Sequence, residues 1–180
     1  MPTTVTVAHL KSEVARLSDR IHLTDLERPR FTASDAAVPY IGVGLKGEFY
    51  EAAYERGELV HHRETRDLDE LLYWAFEYAT RNAASSWILR HPDEGRDYRQ
   101  RWWERQIALL YTLHPHWAQR MRDELFEFLR DHGDRSEVPP MPTPPLVLEL
   151  PPPEPPRPQV RLPWRYRALG FVVDALTGRR

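Results

Sequence analysis

Proline is concentrated near the C-terminal end of the chain, where twelve of the seventeen prolines fall between Pro139 and Pro163. Proline fixes φ and has no backbone N–H, so this density excludes an α-helix and most sheet ladders. Residues 1–137 have ordinary globular composition by comparison. We therefore predict a folded domain over residues 1–137, a Pro-rich connector over 138–163 and a basic amphipathic tail over 164–180.

Composition narrows the functional classes without choosing among them. The 180-residue chain is long enough to bury a core without cross-links, and it contains no cysteine. The absence of cysteine excludes disulfides, Cys-ligated zinc and thiol nucleophiles. No apolar run approaches the roughly 18 residues that a membrane span needs, and no secretory signal is visible at the N-terminus. We therefore expect a cytoplasmic protein without a transmembrane segment.

Charge is unevenly distributed along the chain. The overall formal charge is −2, but residues 1–137 carry −5 and residues 138–180 carry +3. An acidic domain argues against nucleic acid as a partner, because a basic face is expected there. The same acidity is compatible with a basic protein partner.

Hydrophobic periodicity predicts one helix, a small sheet and three further helices. Leu10, Val14, Leu17 and Ile21 lie on one face of a first helix with Thr6 as its N-cap. Residues 40–64 then read as three short strands joined by tight turns at Lys46-Gly47 and Arg56-Gly57, which is typical of an antiparallel meander.

Helical periodicity returns after the predicted sheet. One helix begins near Asp67 and runs to about Leu89, with Glu70 at the spacing of a capping box. A second begins around Arg96, and Pro115 suits the first turn of a third. The predicted fold class is therefore α+β: an N-terminal helix, a small three-stranded antiparallel meander, then three helices packed on it, and a Pro-rich C-terminal extension.

No motif for catalysis, cofactor binding or metal binding is present. The eight histidines form no HExxH or other ligand spacing, and the adjacent pair His61-His62 would face opposite ways on a strand. There is no GxSxG or SxxK, and Gly42-Val43-Gly44 lacks the third glycine of a dinucleotide fingerprint. We predict no cofactor and no enzymatic activity. A small hydrolase that uses an acid or histidine pair remains the enzymatic alternative.

The candidate functional residues are acids and aromatics on the predicted helices. Acids near a helix start commonly interact with the helix dipole, but they can also meet Arg and Lys of a partner. Tryptophan is enriched in binding hot spots. The predicted partner-binding residues are Asp67, Asp69, Glu70, Glu77, Trp87 and Trp102.

The C-terminal extension offers an alternative function. Pro152, Pro155 and Arg157 fit PxxPxR, a pattern of polyproline ligands, although a semi-rigid spacer is the simpler interpretation. The alternative hypothesis is accordingly a non-enzymatic interaction or scaffold module that works through the Pro-rich segment and the C-terminal tail.

The stretch from Tyr54 to Leu129 resembles the immunity protein 63 family of bacterial polymorphic toxin systems. The motifs that carry the resemblance are ERG at 55–57, TRDLDELLYWAF at 65–76, GRDYRQRW at 95–102 and QIALL at 106–110, followed by Trp117 and an acidic helix. The resemblance implies a stoichiometric inhibitor that binds a cognate toxin domain in the cytoplasm by direct protein–protein contact. It names neither the toxin nor the oligomeric state.

Overall fold

Four helices and three strands follow one another in the computed structural model, which describes residues 6–93 and 95–144. Their order confirms the predicted α+β class. The elements are α1 (Val7–Arg20), β1 (Tyr40–Val43), β2 (Phe49–Glu55), β3 (Glu58–Thr65), α2 (Leu68–Arg90), α3 (Tyr98–Leu113) and α4 (Pro115–Asp131).

Helix α1 has the amphipathic pattern predicted for it. The Thr6 hydroxyl accepts a hydrogen bond from the His9 N–H at 3.2 Å and caps the helix. The predicted apolar stripe is buried at all four positions, Leu10, Val14, Leu17 and Ile21. Arg20, in the last turn, donates to the Leu113 carbonyl at 3.3 Å and so joins α1 to the end of α3.

The sheet is an antiparallel meander in the order β1-β2-β3. Gly47 and Gly57 both have φ of +80° in the two turns, a conformation that glycine adopts without strain. Tyr40 pairs with Ala52, and Phe49 pairs with Thr65. The register shifts between Ala53 and Tyr54, which leaves β3 with a bulge near its start.

Helix α2 covers one face of this sheet and α3 packs against α2 from the other side. Asp67 is the N-cap, and its carboxylate accepts from the Asp69 N–H at 2.9 Å. The predicted capping box is incomplete, because the Asp67 N–H donates instead to the Thr65 hydroxyl at 3.1 Å. The Glu70 side chain therefore remains available for a more distant partner.

Helices α3 and α4 complete the core. Asp97 caps α3 by accepting from the Gln100 N–H at 2.9 Å, so α3 begins two residues after the predicted Arg96. Pro115 occupies the first turn of α4 as predicted. Both helices bury one apolar side each, formed by Trp103, Ile107, Leu110 and Leu113 of α3 and by Trp117, Met121, Leu125 and Leu129 of α4.

The first residues of the Pro-rich segment lie against the helices. Val138 and Met141 pack against the hydrophobic core, and Arg122 Nε of α4 donates to the Pro139 carbonyl at 2.7 Å. Residues 145–163 of the predicted connector, with the PxxPxR pattern, and the predicted tail at 164–180 lie outside the described residues. The boundary between residues 137 and 138 thus stays a prediction.

Candidate functional site

Asp67 and Asp69 lie where β3 leads into α2, and both are exposed. Asp67 caps the helix, so its charge lies close to the free N–H groups of the first turn. Asp69 is half exposed and faces α4: its carboxylate accepts from the Trp117 indole N–H at 3.1 Å and lies 3.1 Å from His116 Nε2. Two of the predicted acids are therefore at the surface, and one of them is also a link to α4.

Glu70 joins the same helix start to α4 through an ion pair. Its carboxylate accepts from Arg120 in two hydrogen bonds, one of 2.9 Å at Oε1, and from the Trp74 indole N–H at 2.7 Å. The hydrogen bonds from Arg120 hold the pKa of Glu70 below its usual value. Arg120 also pairs with Glu124 at 2.9 Å and lies over the Tyr73 ring, 3.9 Å from its centroid.

We call these residues, Asp67, Asp69, Glu70, Trp117 and Arg120, the helix junction cluster. Tyr73 lies beneath it, and its hydroxyl donates to Glu124 at 2.5 Å. Burial, followed by the contact with Glu124, raises the pKa of Tyr73, so this phenol is a stable donor. The cluster stabilises the contact between α2 and α4. It also leaves an exposed, negatively charged edge at Asp67 and Asp69.

The ion pair between Glu70 and Arg120 predicts a pH dependence of stability. Because the pKa of Glu70 is lower in the folded state, the ion pair contributes its full share of the folding stability above the unfolded-state pKa near 4.5. This contribution is lost as the pH falls through the lower folded-state pKa. Glu70→Gln is expected to be less stable than wild type at pH 7, and the difference in their free energies of unfolding should become smaller in acid. Urea unfolding at pH 7 and at pH 3 measures this.

The substitution Asp67→Asn at the exposed N-cap provides the control, since asparagine caps a helix as well as aspartate does. A stability gap between Glu70→Gln and wild type that stays constant from pH 7 to pH 3 would contradict the assignment.

Glu77, Trp87 and Trp102 lie further along α2 and α3. Glu77 Oε1 accepts from Gln106 Nε2 at 3.2 Å and lies 4.0 Å from Arg81. Trp87 is half-buried and stacks on His91 with 4.5 Å between ring centroids, while the Trp102 indole N–H donates to the Arg81 carbonyl at 3.0 Å. Seventeen residues of helix separate Glu70 from Trp87, which corresponds to about 26 Å. The six predicted residues therefore do not form one cluster.

A surface that the sequence analysis did not single out lies on the side of the sheet opposite α2. We call it the open sheet face, and its strand positions are Tyr40, Gly42, Tyr50, Ala52, Tyr54, Leu59, His62 and Glu64. Tyr50 and Tyr54, four positions apart on β2 and therefore on one face of the strand, were the signal in the sequence. The sequence does not show which side of β2 is covered, because the buried side carries a charged residue, Glu51.

Metal-ligating side chains do not cluster in the described part of the chain. In residues 6–93 and 95–144, no three His, Asp or Glu side chains converge so as to hold a metal ion. His61 and His62 face opposite sides of β3 as predicted: His61 approaches Glu51 at 3.5 Å, and His62 stacks on Tyr50. None of the helices in these ranges has the length and apolarity that crossing a bilayer requires.

Comparison with known proteins gives one match. Residues 46–127 fit the family model described as Immunity protein 63; this segment covers less than half of the chain and runs from the β1–β2 turn into α4. Neither the curated proteins nor the solved structures yielded a match. The matched segment contains all six predicted partner-binding residues. It confirms the resemblance drawn from the motifs: the region from the β2–β3 hairpin to α4 is similar to the immunity protein 63 family.

Proposed function

We propose that this protein binds a cognate bacterial toxin domain by direct protein–protein contact and thereby neutralises it. The observation that carries the proposal is the match of residues 46–127 to the immunity protein 63 family. The protein then acts as a stoichiometric inhibitor in the cytoplasm of the cell that makes the toxin, without enzymatic activity. The family match indicates the class of partner. The residues of this protein proposed to contact it are chosen from those exposed at its surface.

The exposed part of the helix junction cluster is the proposed point of contact. Asp67 and Asp69 are both exposed and lie within one helical turn, so they present two negative charges together. Such an edge attracts a basic partner surface and speeds association. Glu70 and Glu77 contribute by holding α2 against α4 and α3. Trp87, further along α2, and Trp102 of α3 are proposed aromatic anchors.

A rescue assay tests the function directly. The toxin domain encoded by the gene immediately upstream is expressed in a sensitive host, alone and together with the full chain. We expect growth to be restored and the two proteins to co-purify at equal stoichiometry. Clear toxicity that the full chain fails to relieve counts against neutralisation of that toxin.

Removing the charges of Asp67 and Asp69 tests the contact. In the double variant Asp67→Asn, Asp69→Asn, the amides keep the helix cap and an acceptor for Trp117, so folding is preserved. We expect toxin affinity to fall by about three- to tenfold, mainly through a slower association rate. Surface plasmon resonance at two salt concentrations measures the association rate and how strongly salt reduces it.

The matched control for this pair is Glu55→Gln, Glu58→Gln, which removes two exposed charges from the β2–β3 hairpin. If both double variants slow association equally, the effect is one of net charge, and the assignment of Asp67 and Asp69 is wrong.

A further inference from the structure

Strand β3 forms an open edge of the sheet. The strand order β1-β2-β3 gives β3 a neighbour on one side, and it pairs there with β2 in antiparallel register. In such a strand, every second residue directs its N–H and C=O groups away from the neighbour. Within residues 6–93 and 95–144, no backbone group of another segment donates to or accepts from the outer side of β3. In this part of the chain, a row of backbone donors and acceptors is therefore left for another strand.

The opposite edge of the sheet is covered by the loop between α1 and β1. The Ile41 N–H of β1 donates to the Arg30 carbonyl of this loop at 2.9 Å. Where β2 continues beyond β1, the Ala37 N–H donates to the Tyr54 carbonyl at 2.8 Å. In addition, β1 has only four residues, whereas β3 has eight. The outer side of β3 is therefore the edge at which the sheet can be extended.

Strand β3 is held in place from its inner side. Arg63 pairs with Glu51 at 2.6 Å, and its guanidinium lies 4.2 Å from the centroid of the Trp74 ring. At the turn that precedes the strand, the Gly57 N–H donates to the Asp35 carboxylate at 2.8 Å. A strand that is ordered before it binds loses little conformational entropy on binding. The edge is therefore preorganised for pairing.

The edge lacks the two residue types that most directly prevent strand pairing. Lysine and proline commonly protect edge strands, and β3 contains neither. The bulge, which also discourages pairing, is confined to the first residues of the strand, where Leu59 and Val60 are 50% and 53% exposed. From residue 61 to residue 65, the register with β2 is regular. A strand added along 61–65 would also shield the two apolar side chains next to it.

A second copy of this chain is poorly matched to the edge. If two copies of β3 paired about a two-fold axis, one residue would lie opposite its own copy. Centring the pair on Arg63 or on Glu64 places two like charges opposite each other. Centring it on His62 places His61 opposite the cationic Arg63 on both sides. Like charges directly opposite destabilise a strand pair, so these registers disfavour self-pairing.

The Pro-rich segment of this chain is also poorly matched to the edge. Twelve prolines fall between Pro139 and Pro163, and proline has no N–H to donate to a ladder. The start of the segment is already engaged, because the Pro139 carbonyl accepts from Arg122 of α4. These observations favour a strand from another protein as the occupant of the edge.

We propose that the outer edge of β3 binds an extended strand of a partner protein, which continues the sheet as a fourth strand beside residues 61–65. The backbone N–H and C=O groups of the edge select an extended chain and supply affinity, whatever its side chains are. The partner is the toxin domain, so the inference rests on the proposed function. Thr65 is two residues from Asp67, so the added strand and the acidic edge would form one continuous contact.

Residue-resolved hydrogen exchange tests the inference on the full chain. In the free protein, we expect protection to alternate along residues 61–65: amides that donate to β2 exchange slowly, and amides that point outward exchange fast. In the complex with the co-purified toxin domain, the fast amides should slow by about a hundredfold. With only the full chain labelled with ¹⁵N, isotope-filtered NOEs should connect these amides to backbone protons of the toxin. Docking through side chains alone would not produce these NOEs.

A lysine on the edge tests the same contact by affinity. Val60→Lys places a charged side chain at the start of the edge, where lysine hinders the approach of another strand. We expect toxin affinity to fall about tenfold. The matched control is Val7→Lys, which adds the same charge at a 45% exposed valine of α1 and should change affinity by less than about twofold. Equal losses would show an effect of net charge and overturn the inference.

The exchange experiment separates this inference from the proposed function. If the toxin is neutralised but the outward amides of β3 stay fast in the complex, the function stands and the inference is overturned. If those amides are already slow in the free full chain, the edge is occupied without the toxin, and the inference is again overturned; a dependence on protein concentration then identifies a second copy. If no complex forms and the toxin is not neutralised, the proposed function fails and the inference fails with it.

Discussion

Replacing Arg63 with leucine is expected to destabilise the fold by about 2–4 kcal/mol. Arg63 Nε and Nη2 donate to Glu51 Oε2 at 2.9 and 2.6 Å, and the Glu51 side chain is only 2% exposed. Without Arg63, this carboxylate lies between the sheet and α2 with the His61 imidazole 3.5 Å away. The expected loss is at the lower end of values for buried pairs because Arg63 itself is 38% exposed.

Urea unfolding of three variants measures this effect. Arg66→Leu is the matched control, because it removes an exposed arginine from the adjacent connection and should change stability by less than about 0.5 kcal/mol. The double variant Glu51→Leu, Arg63→Leu removes both charges and should recover much of the stability that Arg63→Leu alone loses. Equal losses for Arg63→Leu and Arg66→Leu would contradict the role assigned to the pair.

The elements of the fold could be predicted because their signals are local. The stripe of α1 repeats every three to four residues and is buried at each predicted position. Gly47 and Gly57 mark the two turns, and both have positive φ. Asp67 and Pro115 define helix starts within one or two residues. In each case, the residue that determines the structure lies within or next to the element itself.

The sites depend on contacts between distant residues, which sequence spacing does not reveal. Glu70 has an Asp three positions before it, which suggested a capping box, yet its partner is Arg120, fifty residues away. Asp69 similarly meets Trp117 across 48 positions. The two sides of β2 were also ambiguous, because Glu51 reads as solvent-facing by polarity but is 1% exposed. Burial of its charge became possible only through Arg63 on the neighbouring strand.

Trp117→Ala is expected to lower the free energy of unfolding by about 3–5 kcal/mol, the range for truncating a large buried aromatic side chain. Trp117 is 2% exposed at the start of α4. Its ring stacks on Phe76 of α2 with 6.1 Å between centroids and meets Tyr73 edge-to-face at 6.4 Å. The substitution therefore opens a cavity at the α2–α4 contact and releases Asp69 from the indole N–H. Thermal and urea unfolding measure the loss.

Two conservative variants separate the ring from its hydrogen bond. Trp117→Phe keeps an aromatic ring against Phe76 but removes the N–H donor to Asp69, so it should lose more stability than Asp69→Asn, which retains an acceptor. In the double variant Trp117→Phe, Asp69→Asn, the losses should not add, because both changes act on one contact. Fully additive losses would show that Asp69 is not held by Trp117 in solution. The exposed acid would then be positioned by the helix start alone, and its proposed role in toxin contact would no longer depend on α4.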